Sequence, residues 1–80
     1  MAVQIKVDRV LDCRGLLCPM PIIHTKRELA SIAVGQVLEV QATDPGSKRD
    51  MPAFCKNTGN ELVEASEDGA VFHYLIRKLR

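Results

Sequence analysis

The sequence has few aromatic residues, almost no net charge and no long apolar run. Its 80 residues include one Tyr, two Phe and no Trp, so we expect a core of aliphatic side chains. The formal net charge is +1, which gives no extended positive field for a nucleic acid. No run of about 18 apolar residues occurs, and no basic segment precedes an apolar one, so neither a membrane span nor an export signal is predicted. We therefore expect a cytoplasmic protein that binds neither nucleic acid nor a membrane.

Cysteine is also scarce, and its three copies are an odd number. A reducing compartment keeps thiols free, which disfavours a disulfide framework. At least one cysteine must then either pack in the core or have a chemical role. Cys13 and Cys18 have four residues between them, and without a second close pair this spacing is a poor match to a zinc site. No Gly-rich phosphate loop or Ser, His and Asp arrangement is evident. The sequence therefore predicts neither a metal nor an organic cofactor.

The sequence does contain the pattern of one folded domain, which we assign to residues 1–80. Hydrophobic residues make up 46% of the chain and charged residues 26%, a balance typical of a globular fold. Hydrophobic periodicity predicts six elements in the order βαβαββ. The predicted strands are 7–12, 36–43, 61–67 and 70–78, and the predicted helices are 19–33 and 48–57.

Turn residues limit these elements. Gly35 and Gly59 are natural stops for the two helices. Pro52 is compatible with the second helix in or near its first turn. The pair Asp68-Gly69 joins the last two strands as a hairpin, because it readily adopts the positive φ angles of a tight turn.

The order of the elements indicates the fold. A strand, helix and strand of these lengths form a right-handed crossover between parallel strands, and the closing hairpin adds an antiparallel pair. Polar residues alternate at Glu39, Gln41, Glu61 and Glu64, which indicates that one face of the sheet meets water. We therefore predict an α/β (α+β) two-layer sandwich, with a four-stranded mixed sheet and two helices on one face.

The strongest chemical signal is the segment DCRGLLCPMPI at residues 12–22. Cys18 precedes Pro19, which favours an extended conformation at the cysteine. Pro19 suits the first helical position, although Pro21 allows the helix to begin there instead. In either case Cys18 lies at or just before a helix amino end, where partial positive charge lowers the pKa of a thiol. We expect the two prolines to hold the sulfur in a stiff, exposed turn.

Basic residues near this turn favour the same interpretation. Arg14 precedes Cys18, and His24, Lys26 and Arg27 follow it on the helix, so the surroundings lean positive. This predicts a nucleophilic thiolate at Cys18 with a lowered pKa. The alternative, that the cysteine belongs to a helix cap and has no chemistry, stays open at this point.

The remaining thiols and imidazoles have more ordinary interpretations. Cys13 directly follows the first predicted strand and is expected in a structural role, with a resolving thiol for Cys18 as the alternative. Cys55 lies on the apolar face of the second helix and is expected in the core. We expect His24 to be a solvated helix residue, or else a partner of the thiolate, and His73 to lie on the wet face of the sheet.

Three segments resemble, in order, the TusA/SirA-like sulfur-carrier family from about residue 8 to 78: LDCRGLLCPMP, DPGSKRDMPAFCKNTGNEL and YLIRK. The most specific part is C-P-x-P at residues 18–21, preceded by D-x-R-G-L. The resemblance implies the same βαβαββ sandwich and a persulfide carried on Cys18. Independently of the resemblance, we expect Gly15, Pro19 and Pro21 to form a supporting turn for Cys18. The resemblance also implies a cysteine desulfurase or rhodanese-type sulfur donor and a downstream acceptor protein.

We therefore expect a sulfurtransferase-type carrier rather than a stand-alone enzyme, in tRNA thiolation, sulfur oxidation or cofactor sulfur supply. Two other functions stay open. A thiol redox module would use a disulfide between Cys13 and Cys18, whereas a regulatory protein-interaction module would need only its surface. Four basic residues are either docking sites for an acidic partner surface or solvated charges. These candidates are Arg14, Arg27, Lys48 and Arg49.

Overall fold

The computed structural model describes residues 5–80, so the first four residues of the predicted domain 1–80 lie outside the described residues. The described part contains four strands and two helices in the predicted order. The strands are β1 (Arg9–Cys13), β2 (Val37–Ala42), β3 (Glu61–Asp68) and β4 (Val71–Arg77), and the helices are α1 (Met20–Ala30) and α2 (Ser47–Thr58).

The sheet is mixed, as predicted. Its strand order is β1-β2-β4-β3, with β1 and β2 parallel and the other two pairings antiparallel. Cys13 at the end of β1 pairs with Ala42 at the end of β2. The loops that follow these two parallel strands therefore leave the sheet at the same edge. This places the loop that carries Cys18 beside the segment that enters α2.

Alternation along β2 separates a core face from a polar face. Leu38, Val40 and Ala42 are fully buried, whereas Glu39 and Gln41 are partly exposed. Burying a Leu or Val side chain contributes roughly 1.5–3 kcal/mol relative to leaving it exposed. The helices pack on the core face. Other buried members of this core are Cys13, Leu29, Ile32, Met51, Cys55, Phe72, Tyr74 and Ile76. The predicted two-layer sandwich is confirmed.

Polar pairs occupy the opposite face of the sheet. Gln41 Nε2 donates to Glu39 Oε2 at 2.8 Å, and the same oxygen lies 3.3 Å from His73 Nδ1. Arg77 Nη1 donates to Glu61 Oε1 at 3.0 Å across β3 and β4. The predicted polar face, with His73 on it, is therefore confirmed.

The helix α1 is shorter than predicted, because it ends at Ala30 and not at residue 33. Ser31 Oγ donates to the Glu28 carbonyl at 2.8 Å, and the Ser31 amide donates to the same carbonyl at 3.0 Å. Serine side chains that bond the backbone in this way compete with continuation of a helix. Ile32 still packs into the core, so the apolar periodicity continues past the end of the helix.

The two glycines predicted to stop helices behave differently. Gly59 has φ 77° and its amide donates to the Cys55 carbonyl at 3.0 Å, so it ends α2 as predicted. Gly35 has φ 93° but lies in the turn before β2, where its amide donates to the Lys78 carbonyl at 2.7 Å. Pro52 lies in the second turn of α2, further inside than predicted, because the helix begins directly after the turn at residues 44–46. Neither helix of residues 5–80 is long and apolar enough to cross a membrane.

The hairpin forms where the Asp-Gly pair predicts it. Gly69 has φ 62°, which supplies the left-handed conformation that the tight turn needs. The β3 and β4 strands pair from Glu61 with Arg77 to Asp68 with Val71, with a register shift between Leu62 and Glu64.

Candidate functional site

The loop between β1 and α1 carries Cys18 over the edge of the sheet. Gly15 has φ 81°, a conformation that L side chains rarely adopt. Its amide donates to Thr43 Oγ1 at 2.9 Å, which ties the loop to the end of β2. The Leu16 amide donates to the Cys13 carbonyl at 3.2 Å, so the chain turns directly after β1. Gly15 thus lies in the turn that leads from β1 towards Cys18, and its supporting role stays a prediction.

The two prolines shape the start of α1. Pro19 is the N-cap, and Met20 and Pro21 are the first two helical residues. The Ile22 and Ile23 amides both donate to the Pro19 carbonyl at 3.1 Å, and Pro21 is buried. The Cys18–Pro19 peptide bond is cis. Because Pro19 is the N-cap, Cys18 lies just before the amino end of α1, one of the two positions that the sequence allows.

Two carboxylates from the β2–α2 region hold Cys18 in place. Its amide donates to Asp44 Oδ2 at 3.0 Å, and its Sγ donates to Asp50 Oδ2 at 3.1 Å. Asp44 lies in the turn before α2, and Asp50 lies in the first turn of that helix. The Cys18 side chain remains exposed, as expected. Backbone and sulfur are thus each fixed by one carboxylate.

The predicted low pKa of Cys18 is wrong. The hydrogen bond to Asp50 raises the pKa of the Cys18 thiol above its ordinary value. Desolvation and the charges of Asp50 and Asp44 act in the same direction, and the charge of Arg49 opposes them. The prediction counted cations that are close in sequence, whereas the fold brings acidic groups from α2 to the thiol. The free thiol is therefore mostly protonated at neutral pH.

The four candidate docking residues lie in different surroundings. Arg14 donates to both Asp12 oxygens, at 2.9 and 3.0 Å, and this pairing lowers the pKa of Asp12 to about 2. Arg27 lies in the last turn of α1, away from the Cys18 end. Arg49 Nε lies 3.7 Å from Asp50 Oδ1, so this is the candidate next to the thiol.

The last docking candidate, Lys48, lies in the first turn of α2, on the side that faces β3 and β4. Its Nζ lies 3.6 Å from Glu67 Oε1 and 5.5 Å from the centre of the Phe72 ring. These contacts tie its charge to the sheet. Lys48 and the other three basic residues stay predicted docking sites.

The other two cysteines lie in the core, as predicted for Cys55. Cys13 and Cys55 are buried, at 0% and 2% exposure, whereas Cys18 is exposed. Burial raises the pKa of the Cys55 thiol to about 11, and burial followed by the Asp12 charge raises that of Cys13. The described residues contain no group of three His, Cys, Asp or Glu side chains that could hold a metal ion. His24 is half-buried on α1. The hydrogen-bond partner of the Cys18 sulfur is Asp50 and not His24.

Cys18 opens onto an apolar groove between the two helices, which we call the thiol groove. Its volume is about 320 Å³, and it is lined by Cys18, Pro19, Ile22, Asp50, Ala53, Phe54 and Asn57. Large apolar side chains are exposed around the turn, with Leu17 at 73%, Met20 at 39% and Ile23 at 42%. Exposed apolar side chains that are grouped together on a surface are typical of a protein contact surface.

The sequence analysis missed Asp44 and Asp50. Each is separated from Cys18 by a long stretch of chain, 26 and 32 residues, and neither belongs to a local motif. A usable signal existed in the topology. Parallel β1 and β2 must deliver their following loops to one edge of the sheet, so acidic residues after β2 were candidates for contact with Cys18.

Comparison with known proteins gives matches over nearly all of the chain. The family model described as "Sulfurtransferase TusA" matches residues 9–78. Sulfur carrier protein TusA of Allochromatium vinosum is 55% identical over 71 residues, which cover 89% of this chain and 93% of that protein. The putative sulfur carrier protein YrkI of Bacillus subtilis is 45% identical over 73 residues, covering 91% and 97%. The crystal structure of a SirA-like protein from Desulfitobacterium hafniense superposes with a TM-score of 0.78 at 24% identity, over 90% and 99% of the two chains, and shows the same fold.

Proposed function

Since the chain belongs to the TusA sulfurtransferase family and has the role of a sulfur carrier, we propose that Cys18 holds the transferred sulfur as a persulfide. This proposal rests on the accessibility of the Cys18 side chain. Cys18 is exposed at the mouth of the thiol groove, whereas Cys13 and Cys55 are buried in the core. A sulfur donor bound to another protein can reach Cys18 without opening the fold.

The transfer is a balanced exchange between thiols. The Cys18 thiolate attacks the outer sulfur of a donor persulfide, the bond between the two donor sulfurs breaks, and the donor cysteine leaves as a thiolate. The proton lost by Cys18 is recovered by that leaving thiolate, so one thiol and one persulfide exchange places. Delivery repeats the step with an acceptor thiolate as the attacking group. No electrons are gained or lost overall, and neither a metal nor an organic cofactor is required.

The partners are other proteins, because the described surface around the sulfur lacks a deep enclosed pocket. We propose a cysteine desulfurase or a rhodanese-type protein as the donor, and a further protein of a sulfur relay as the acceptor. Leu17, Met20 and Ile23 supply exposed apolar area beside the sulfur, and Arg49 supplies a nearby charge. Apolar contact sets the affinity of such a surface, and charge sets the association rate. The relay serves tRNA thiolation, sulfur oxidation or cofactor sulfur supply.

The redox alternative has less support. A disulfide between Cys13 and Cys18 needs Cα atoms about 4.4–6.8 Å apart and side chains that face each other. Cys13 points into the core from β1, whereas Cys18 faces the solvent beyond the turn and bonds Asp50. Forming that disulfide would require Cys13 to leave the core.

Loading by a purified cysteine desulfurase with free cysteine tests the proposal. Intact mass should show the addition of one sulfur atom, which a thiol reductant removes. Cys18→Ser should abolish this addition, whereas Cys13→Ser and Cys55→Ala, the matched controls, should keep it. Sulfur retained by Cys18→Ser would contradict the proposal. Dependence on Cys13 would favour the redox module.

A further inference from the structure

The Asp50 carboxylate is placed where it can influence the ionisation of the Cys18 sulfur. Its side chain lies between the thiol and Arg49. Oδ2 accepts from Cys18 Sγ at 3.1 Å, and Oδ1 lies 3.7 Å from Arg49 Nε. The Asp50 side chain is only 26% exposed, which weakens screening of its charge by water. Asp50 also lines the thiol groove next to Cys18. The carboxylate is thus held against the sulfur by its own helix.

The charges around Cys18 come from few directions. From α2 and the turn before it, Asp50, Asp44 and Arg49 act on the sulfur. The first turn of α1 carries Met20, Pro21, Ile22 and Ile23 and therefore adds no charged side chain. In the loop after β1, Arg14 is occupied by both oxygens of Asp12. Among the charged side chains of the described residues that act on the sulfur, two carboxylates therefore outnumber one guanidinium.

We propose that Asp50 is a positioning residue that keeps the Cys18 sulfur protonated in the free protein and so suppresses its reaction with small electrophiles. This inference rests on the proposed function, since it concerns the reactivity of the residue that is proposed to hold the sulfur. An exposed thiolate would react with any oxidant or electrophile that meets it. A thiol that donates to a carboxylate is protected, because its ionisation would place two negative charges within hydrogen-bond distance.

The proposal keeps the exchange reaction balanced. Asp50 accepts a hydrogen bond and is not consumed. When Cys18 attacks a donor persulfide, its proton leaves and ends on the departing donor thiolate. Once Cys18 is loaded, the ionisable atom is the outer sulfur of the persulfide, which lies one S–S bond, about 2 Å, beyond Sγ. The charge of Asp50 therefore acts less strongly on a persulfide anion than on a thiolate.

The test is the pH profile of alkylation of Cys18 by iodoacetamide in the reduced full chain. Asp50→Asn keeps an acceptor oxygen but removes the charge. Its midpoint should move to lower pH, and its rate near neutral pH should rise about 3- to 10-fold, since the gain in thiolate is partly offset by lower nucleophilicity. Glu61→Gln is the matched control, because it removes the same charge at the opposite end of the sheet. Its profile should coincide with that of the unsubstituted protein.

An Asp50→Asn profile that coincides with the control, or a slower reaction, would overturn the proposal. Peptide mapping assigns the label to Cys18, and a thermal melt shows whether the variant is folded. A second measurement avoids the substitution: in the unsubstituted protein, the Cys18 midpoint should be higher in the native chain than in urea. A native midpoint at or below the unfolded one would also overturn it. If Asp50→Asn reacts faster but the unsubstituted protein takes no sulfur from a desulfurase, the proposed function fails and this inference stands.

Discussion

Alkaline pH should destabilise the protein through Cys55. Burial raises the pKa of this thiol from 9.0 to about 11, so the folded chain holds the proton more tightly than the unfolded chain. The resulting stabilisation is fully present below about pH 9 and is lost as the pH rises towards 11. A difference of about two pKa units corresponds to about 2–3 kcal/mol of unfolding free energy.

Urea denaturation between about pH 7 and 11 measures this loss for the unsubstituted protein and for Cys55→Ala. Near neutral pH the variant should be less stable by about 1–3 kcal/mol, because it loses packing at a site that is 2% exposed. At the alkaline end the difference in unfolding free energy between the two proteins should vanish or change sign, because ionisation of Cys55 destabilises only the unsubstituted protein. Contributions from Tyr74 and the other cysteines occur in both proteins and cancel.

Cys18→Ser serves as the control, since it removes a thiol and retains Cys55. It should show most of the alkaline loss of the unsubstituted protein. Parallel curves for the unsubstituted protein and Cys55→Ala over the whole range would refute the reasoning. Such a result would mean that Cys55 ionises without a cost in folding and that it is not a core residue.

Two further predictions concern the surface around the sulfur. Pro21→Ala should slow loading by a desulfurase more than it lowers the melting temperature, because Pro21, itself buried, stiffens the start of α1. Equal loading rates would show that this stiffness is unnecessary. Arg49→Glu should reduce the association rate with a sulfur donor more than Arg27→Glu does, because Arg49 is beside Asp50 whereas Arg27 lies in the last turn of α1. Added salt should also reduce the association rate of the unsubstituted protein, because salt screens such charges. Stopped-flow association measures both rates, and equal effects would argue against steering by Arg49.

The fold could be predicted from the sequence wherever the pattern is local. Alternation places β2 to within a residue at either end, and apolar periodicity finds the buried face of α2 with Met51 and Cys55. The end of α1 could not be found in this way. Ile32 remains in the core after the helix has ended, so its apolar character conceals the stop made by Ser31.

The candidate site could be predicted in part. The position of Cys18 before a helix amino end and its exposure follow from the two prolines. The charge around it does not, because Asp50 lies 32 residues further along the chain and meets the sulfur only through the parallel pairing of β1 and β2. Cations close in sequence, such as Arg27, are directed elsewhere by the helix. Tertiary contacts therefore reverse the predicted sign of the pKa shift of Cys18.

The central claim is that Cys18 receives sulfur and gives it up again to another protein. We would load the reduced protein with isotopically labelled cysteine and a cysteine desulfurase, remove the donor, map the labelled peptide, and then add an acceptor protein of a sulfur relay. We expect the label to reside on the peptide that contains Cys18 and to leave it when the acceptor is added. A label found chiefly on Cys13 or Cys55, or a label that stays on Cys18 with every acceptor and is released only by a chemical reductant, would contradict this claim.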